Sequence, residues 1–123
     1  MSIQDHEQLK ELVGRQLTAV TFLWDYLQLQ FDGPGLNVMN TIVVSSQEKA
    51  AKTGDDQFRN LLCGHIWEQV QAIEISVDEV SIEFVGGGRI AVLLGEEHYS
   101  GAEAIYYYGF RDGGWGAIRT DFE

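Results

Sequence analysis

The chain nearly repeats itself, and this constrains its fold more than any other feature. Residues 16–35 align with residues 69–88 at an offset of 53, placing Gln16 on Gln69, Ala19 on Ala72, Asp25 on Asp78 and Phe31 on Phe84. Gly33 and Gly35 fall on Gly86 and Gly88, and apolar residues match at Leu17/Val70, Val20/Ile73, Leu27/Val80 and Leu29/Ile82. Upstream, Leu9 and Val13 meet Leu62 and Ile66. Beyond the glycines the second copy carries one extra residue, so Leu36 and Val38 meet Ile90 and Val92. Matching turn glycines together with matching strand pattern is the signature of one supersecondary unit used twice. A single domain over 1–123 is expected, with copies at about 4–44 and 55–94 and further strands at 104–119.

Each copy reads as a helix followed by a three-stranded meander. The first helix is expected over 4–13, with Leu9, Leu12 and Val13 as a short apolar stripe and Gly14 as its stop. The second starts near 53–56; Phe58, Leu61, Leu62, His65 and Ile66 then recur at helical spacing. The period next switches to two. Val20, Phe22 and Trp24 alternate with Thr21 and Leu23, and Leu27, Leu29 and Phe31 alternate with Gln28 and Gln30. Asp32-Gly33-Pro34-Gly35 is turn chemistry, and 36–44 reads as a third strand. The second copy repeats this at 70–77, 80–85 and 89–94, followed by a tyrosine-rich strand at 104–110 and a short one at 115–119. The polar stretch 45–55 reads as a loop. The expected class is α+β: two helix-plus-antiparallel-meander repeats, with one or two extra C-terminal strands, sharing one core.

Composition narrows the function. Nineteen acidic against eight basic side chains give a net charge of −11. Such a chain repels phosphate backbones, and its cations are scattered, so no nucleic acid is expected as a partner. No apolar stretch approaches a membrane span, and the first residues lack a secretory pattern, so a cytoplasmic address is expected. One cysteine, Cys63, excludes an internal disulfide framework and a cysteine-rich zinc site. Gly86-Gly87-Gly88 lies between strand patterns, not before a helix, and so reads as a hairpin turn instead of a phosphate loop. His6, His65 and His98 form no metal-binding spacing. No cofactor and no metal are expected.

Two groups of residues carry candidate chemistry. Between positions 68 and 110 lie eight acids (Glu68, Glu74, Asp78, Glu79, Glu83, Glu96, Glu97, Glu103) and a single early base, Arg89. With Asp78-Glu79 as a two-residue turn, Glu74 and Glu83 oppose one another at about 5 Å on an outer face, where like charges destabilise. Opposed carboxylates beside exposed tyrosine suit docking to a basic protein. The partner-binding set is therefore Glu74, Glu83, Asp78, Glu79 and Tyr107. The alternative is a small-molecule or enzymatic site around Glu97, His98 and Tyr99, the one cluster with acid–base character.

The runs Tyr26-Leu27-Gln28-Leu29-Gln30-Phe31-Asp32-Gly33-Pro34 and Ser100-Gly101-Ala102-Glu103-Ala104-Ile105 resemble a family of small bacterial domains of unknown function. The family pattern is a helix, an amphipathic strand pair ending in F-D-G-P, and a later G-P-E-A; here Ala102 stands in place of that proline. The resemblance implies hairpin architecture and no activity. In size, acidity and architecture the chain is also similar to immunity proteins of bacterial toxin systems. Together these imply a non-enzymatic, acidic bacterial binding protein that occludes a basic partner surface, as a monomer or a homodimer.

Overall fold

A computed structural model describes residues 3–95, 103–110 and 113–119. Among them the α+β expectation is overturned: ten strands form two five-stranded antiparallel sheets, with two short helical segments beside them. The strands are β1 (Ala19–Phe22), β2 (Leu27–Gln30), β3 (Gly35–Val38), β4 (Ile42–Ser46), β5 (Lys49–Lys52), β6 (Val70–Ile75), β7 (Glu79–Phe84), β8 (Arg89–Leu93), β9 (Glu103–Phe110) and β10 (Gly114–Arg119). The first sheet runs β1-β2-β3-β9-β10, the second β5-β4-β8-β7-β6.

The helical segments are smaller than the sequence pattern suggests. Ile3–Leu12 is a 3-10 segment kinked at His6. The second, α1 (Phe58–Cys63), has six residues, no side-chain N-cap, and Gly64 at its end. His65 and Ile66 continue the apolar spacing but lie outside it. A helix this short is marginal by itself and is held by tertiary packing. Phe58 and Leu62 are the residues it buries.

Two further expectations fail in the same region. The run 36–44 is not one strand: β3 ends at Val38 and β4 begins at Ile42, in the other sheet. Asn40, a weak strand former, sits at this corner. The segment 45–55 is not a loop, because β4 and β5 form a hairpin around Gln47 and Glu48, with Gln47 at φ 56°. The Thr53 hydroxyl accepts the Ile42 N–H and the Asp55 carboxylate accepts the Lys52 N–H, both at 2.9 Å, which anchors the hairpin base.

The pairing registers of the two halves correspond. Advancing Val20↔Leu29 by 53 gives Ile73↔Ile82, a pair of β6 and β7. Gln16 and Gln69, themselves 53 apart (69 − 16), form an antiparallel bridge with each other. Around it Leu17 N–H donates to Glu68 and Val70 N–H donates to Arg15, at 3.0 and 2.8 Å. The Gln16 side chain donates to the Trp67 carbonyl and the Gln69 side chain to the Gly14 carbonyl. Equivalent residues bonding to one another in this reciprocal way place an approximate two-fold axis at the bridge.

Each sheet thus holds a meander from one half and a hairpin from the other. The third strand of a lone meander would expose an unpaired edge. β3 covers that edge with β9, and β8 covers its own with β4. The inward side chains of both sheets, Leu29, Phe31, Leu36, Ile82, Phe84, Ile90 and Ile105 among them, form one hydrophobic core.

Candidate functional site

Glu74, Glu79 and Glu83 lie on the outer face of the second sheet, and Asp78 lies in its β6–β7 turn. The turn is Val77-Asp78, not Asp78-Glu79: Ser76 Oγ accepts the N–H groups of Asp78 and Glu79 at 3.1 and 3.2 Å, and Ser76 N–H donates to the Glu79 carbonyl. This side-chain-stabilised turn shifts the register by two. Glu74 therefore faces Ser81, and Glu83 faces Ala72 on one side and Arg89 on the other. The expected head-on Glu74/Glu83 pair does not exist. The two residues are diagonal neighbours on one face, a weaker coupling.

Arg89, although level with Glu83, makes its ion pair with Glu79. That contact spans the intervening Ser81↔Ala91 row, and both residues of the row are buried beneath it. The arginine of the face is thereby committed, and the other cation of the face, Lys52, lies on the far edge strand β5. Among the described residues, Glu74, Asp78 and Glu83 have no ion-pair partner. Glu68, half-buried nearby, binds His65 Nδ1 at 2.7 Å, while His65 Nε2 lies 3.1 Å from the Ser45 carbonyl oxygen. The His65 ring stacks on Phe84, so this charge serves the core.

Tyr107 was expected on the binding surface and is instead buried, 3% exposed. It lies 3.0 Å from His6 Nδ1 and packs edge-on against Phe110. The tyrosines that face outward are Tyr106 and Tyr108, stacked on each other at 5.7 Å on the first sheet. The alternation identified two faces of β9, and only the β3–β9 pairing decided which one the core took. Glu97, His98 and Tyr99 lie outside the described residues. Among the described residues, no group of three His, Cys, Asp or Glu side chains is placed to hold a metal ion.

Sequence reasoning passed over a second place entirely. A cavity of about 420 Å³ opens where the β1–β2 turn, the β3–β4 corner and the segment before α1 meet. Phe22, Trp24, Tyr26 and Phe58 line it, with Asp25, Asp55, Arg59 and Asn40. Trp24 is 96% exposed at the hairpin tip. Phe22 packs edge-on against Phe58, and the Arg59 guanidinium sits 5.5 Å from the Phe22 ring centre. Asn40 is 4% exposed; its Nδ2 donates to the Leu93 carbonyl at 2.9 Å and its Oδ1 has no hydrogen-bond partner among the described residues. The one available signal was Asn40 itself, an amide within an apolar strand pattern.

No helix of the described residues is long and apolar enough to cross a membrane. No family model, no curated protein and no solved structure matches the chain.

Proposed function

We propose that this chain is a non-enzymatic, acidic binding protein of bacterial type that docks a basic protein partner on the outer face of its second sheet, in the cytoplasm. The observation carrying this reading is the charge arrangement of that face. Among the described residues Glu74, Asp78 and Glu83 have no ion-pair partner, while Arg89 is tied to Glu79. A partner supplying lysine or arginine would complete these carboxylates, and the net charge of −11 would speed its approach. Occlusion of a basic active surface, as toxin-neutralising immunity proteins achieve, is the mechanism that fits.

The test compares the wild-type chain with a Glu74→Lys/Glu83→Lys variant as bait for basic proteins, at low and moderate salt. Capture that is lost in the variant and weakened by salt supports the reading. Capture unaffected by the charge reversal ends it for this face.

A further inference from the structure

The two-fold relation supplies an internal control for the cavity beside Trp24. Val38 corresponds to Val92, so Met39 and Asn40 correspond to Leu93 and Leu94 (each 54 further on). The surrounding hydrogen bonds agree: Met39 N–H donates to Ala104 and Leu93 N–H to Thr41, both at 2.9 Å. The hairpin tips agree too, because Leu23 N–H donates to Tyr26 as Ser76 N–H donates to Glu79. Two corners of the molecule are thus built to one plan.

They are finished differently. In the second half Leu94 is buried and its N–H donates to the Asp78 carbonyl at 2.8 Å, tying the hairpin tip to the corner. In the first half the corresponding bond, from Asn40 N–H to the Asp25 carbonyl, is not made. The space between tip and corner is the 420 Å³ cavity. Where the other corner has a leucine, this one has a buried amide whose oxygen is unsatisfied. An orphan acceptor at a buried position is a cost that a leucine would not carry. A fully exposed tryptophan at the rim adds another.

From this geometry we infer that the corner is a binding site for a small flat organic cation bearing N–H donors on an aromatic body. The volume falls in the range of small-molecule pockets. Phe22, Trp24, Tyr26 and Phe58 offer ring faces and edges. The sign of charge follows from the lining, where Asp25 and Asp55 outnumber Arg59 (1 − 2 = −1). Arg59 over Phe22 demonstrates that the aromatic wall accepts a planar cation, as ring quadrupoles do. Asn40 belongs to the lining, and its buried Oδ1, without a hydrogen-bond partner among the described residues, is the acceptor that a ligand N–H seated beside it would satisfy. This site is separate from the acidic face of the second sheet and does not depend on it.

Benzamidine is the probe, with benzamide and benzoate as the neutral and anionic controls of the same shape. Binding is read from the Trp24 indole and Asn40 side-chain amide resonances in two-dimensional NMR. Benzamidine should shift both, benzamide should bind roughly tenfold more weakly, and benzoate should leave them unmoved, the size of loss expected when a charge-assisted contact is removed. Asn40→Leu installs the residue of the other corner and should weaken benzamidine about tenfold or more. Asp25→Asn, at the exposed rim, should weaken it severalfold and provides a second variant should Asn40→Leu alter the fold. Shifts confined to Glu74 and Glu83, benzoate binding as well as benzamidine, no benzamidine-dependent shift, or unchanged affinity in a folded variant would overturn the assignment.

Discussion

Across the outer face of the first sheet runs the row Thr21–Gln28–Asn37–Tyr106–Ala117. At matching positions in the second sheet the row is Glu74–Ser81–Ala91–Val43–Lys52. The first face is neutral, amide-rich and aromatic: the Gln30 side chain donates to the Tyr108 hydroxyl at 2.9 Å, and Trp115 continues the Tyr106–Tyr108 stack. The second is charged, with the Arg89–Glu79 pair lying over a buried serine and alanine. The inner faces, by contrast, agree in register and in apolar character. Burial energy acts on every inward position and holds the two sheets to one pattern. Outward positions contribute little to stability, so they are free to diverge toward different tasks.

The sharpest way to break this comparison is in the core. Phe31→Ala and Phe84→Ala remove fully buried rings from equivalent positions, and each should cost about 3–5 kcal/mol in urea unfolding. A cost at one site less than half that at the other would mean that the two inner faces are not energetically equivalent.

The corners should respond with opposite signs. Leu94→Asn places an amide in a buried apolar position and should cost about 2–3 kcal/mol. Asn40→Leu removes an orphan oxygen at the price of the bond to Leu93, and should be neutral or stabilising by up to about 1 kcal/mol. Thermal melts of the two variants decide it, and destabilisation by both would show that Asn40 serves the fold.

A smaller contrast lies at the two-fold bridge. Gly14 has φ 92° and its counterpart Trp67 has φ 85°, a left-handed backbone that glycine adopts freely and tryptophan only with strain. Gly14→Ala should therefore cost about 1 kcal/mol, while Trp67→Gly, at a residue 66% exposed, should be neutral or slightly stabilising. Equilibrium denaturation that found both variants equally destabilised would show that the Trp67 side chain offsets the strain.

The smallest effect is expected on the charged face. With Glu74 diagonal to Glu83 and not opposite, Glu74→Gln should change stability by only a few tenths of a kcal/mol. The corresponding change on the neutral face, Thr21→Gln, should be just as slight. A gain near 1 kcal/mol for Glu74→Gln would restore the head-on pairing that the Ser76 turn rules out.

The alternation of Leu27, Leu29 and Phe31 with Gln28 and Gln30 is legible in the sequence because only one register buries all the apolar groups. The β6–β7 register was not, since Ser76-Val77-Asp78-Glu79 permits more than one turn position, and the Ser76 hydroxyl, accepting the Asp78 and Glu79 N–H groups, holds the one adopted. The β4–β5 hairpin was invisible for a different reason. Lys49-Ala50-Ala51-Lys52 has weak strand propensity, and its turn uses Gln47 in a conformation normally signalled by glycine or asparagine. Its strand character comes from pairing to β4 and from the anchoring side chains of Thr53 and Asp55. The cavity beside Trp24 could not be read either, because its three walls are brought together by the corner at 39–41, where the chain changes sheets.

By itself the sequence determined which face of each meander strand turns inward, since a two-residue period leaves no cheaper arrangement of its apolar side chains. It determined the charge that any partner must meet. The tertiary structure decided that β4 and β5 leave their own half to complete the other sheet, that β9 and β10 return the exchange, and that Tyr107 faces the core. These outcomes depend on an edge strand finding a partner far along the chain. The free energy of that pairing resides in hydrogen bonds and contacts between distant segments, and no local pattern of residues encodes it.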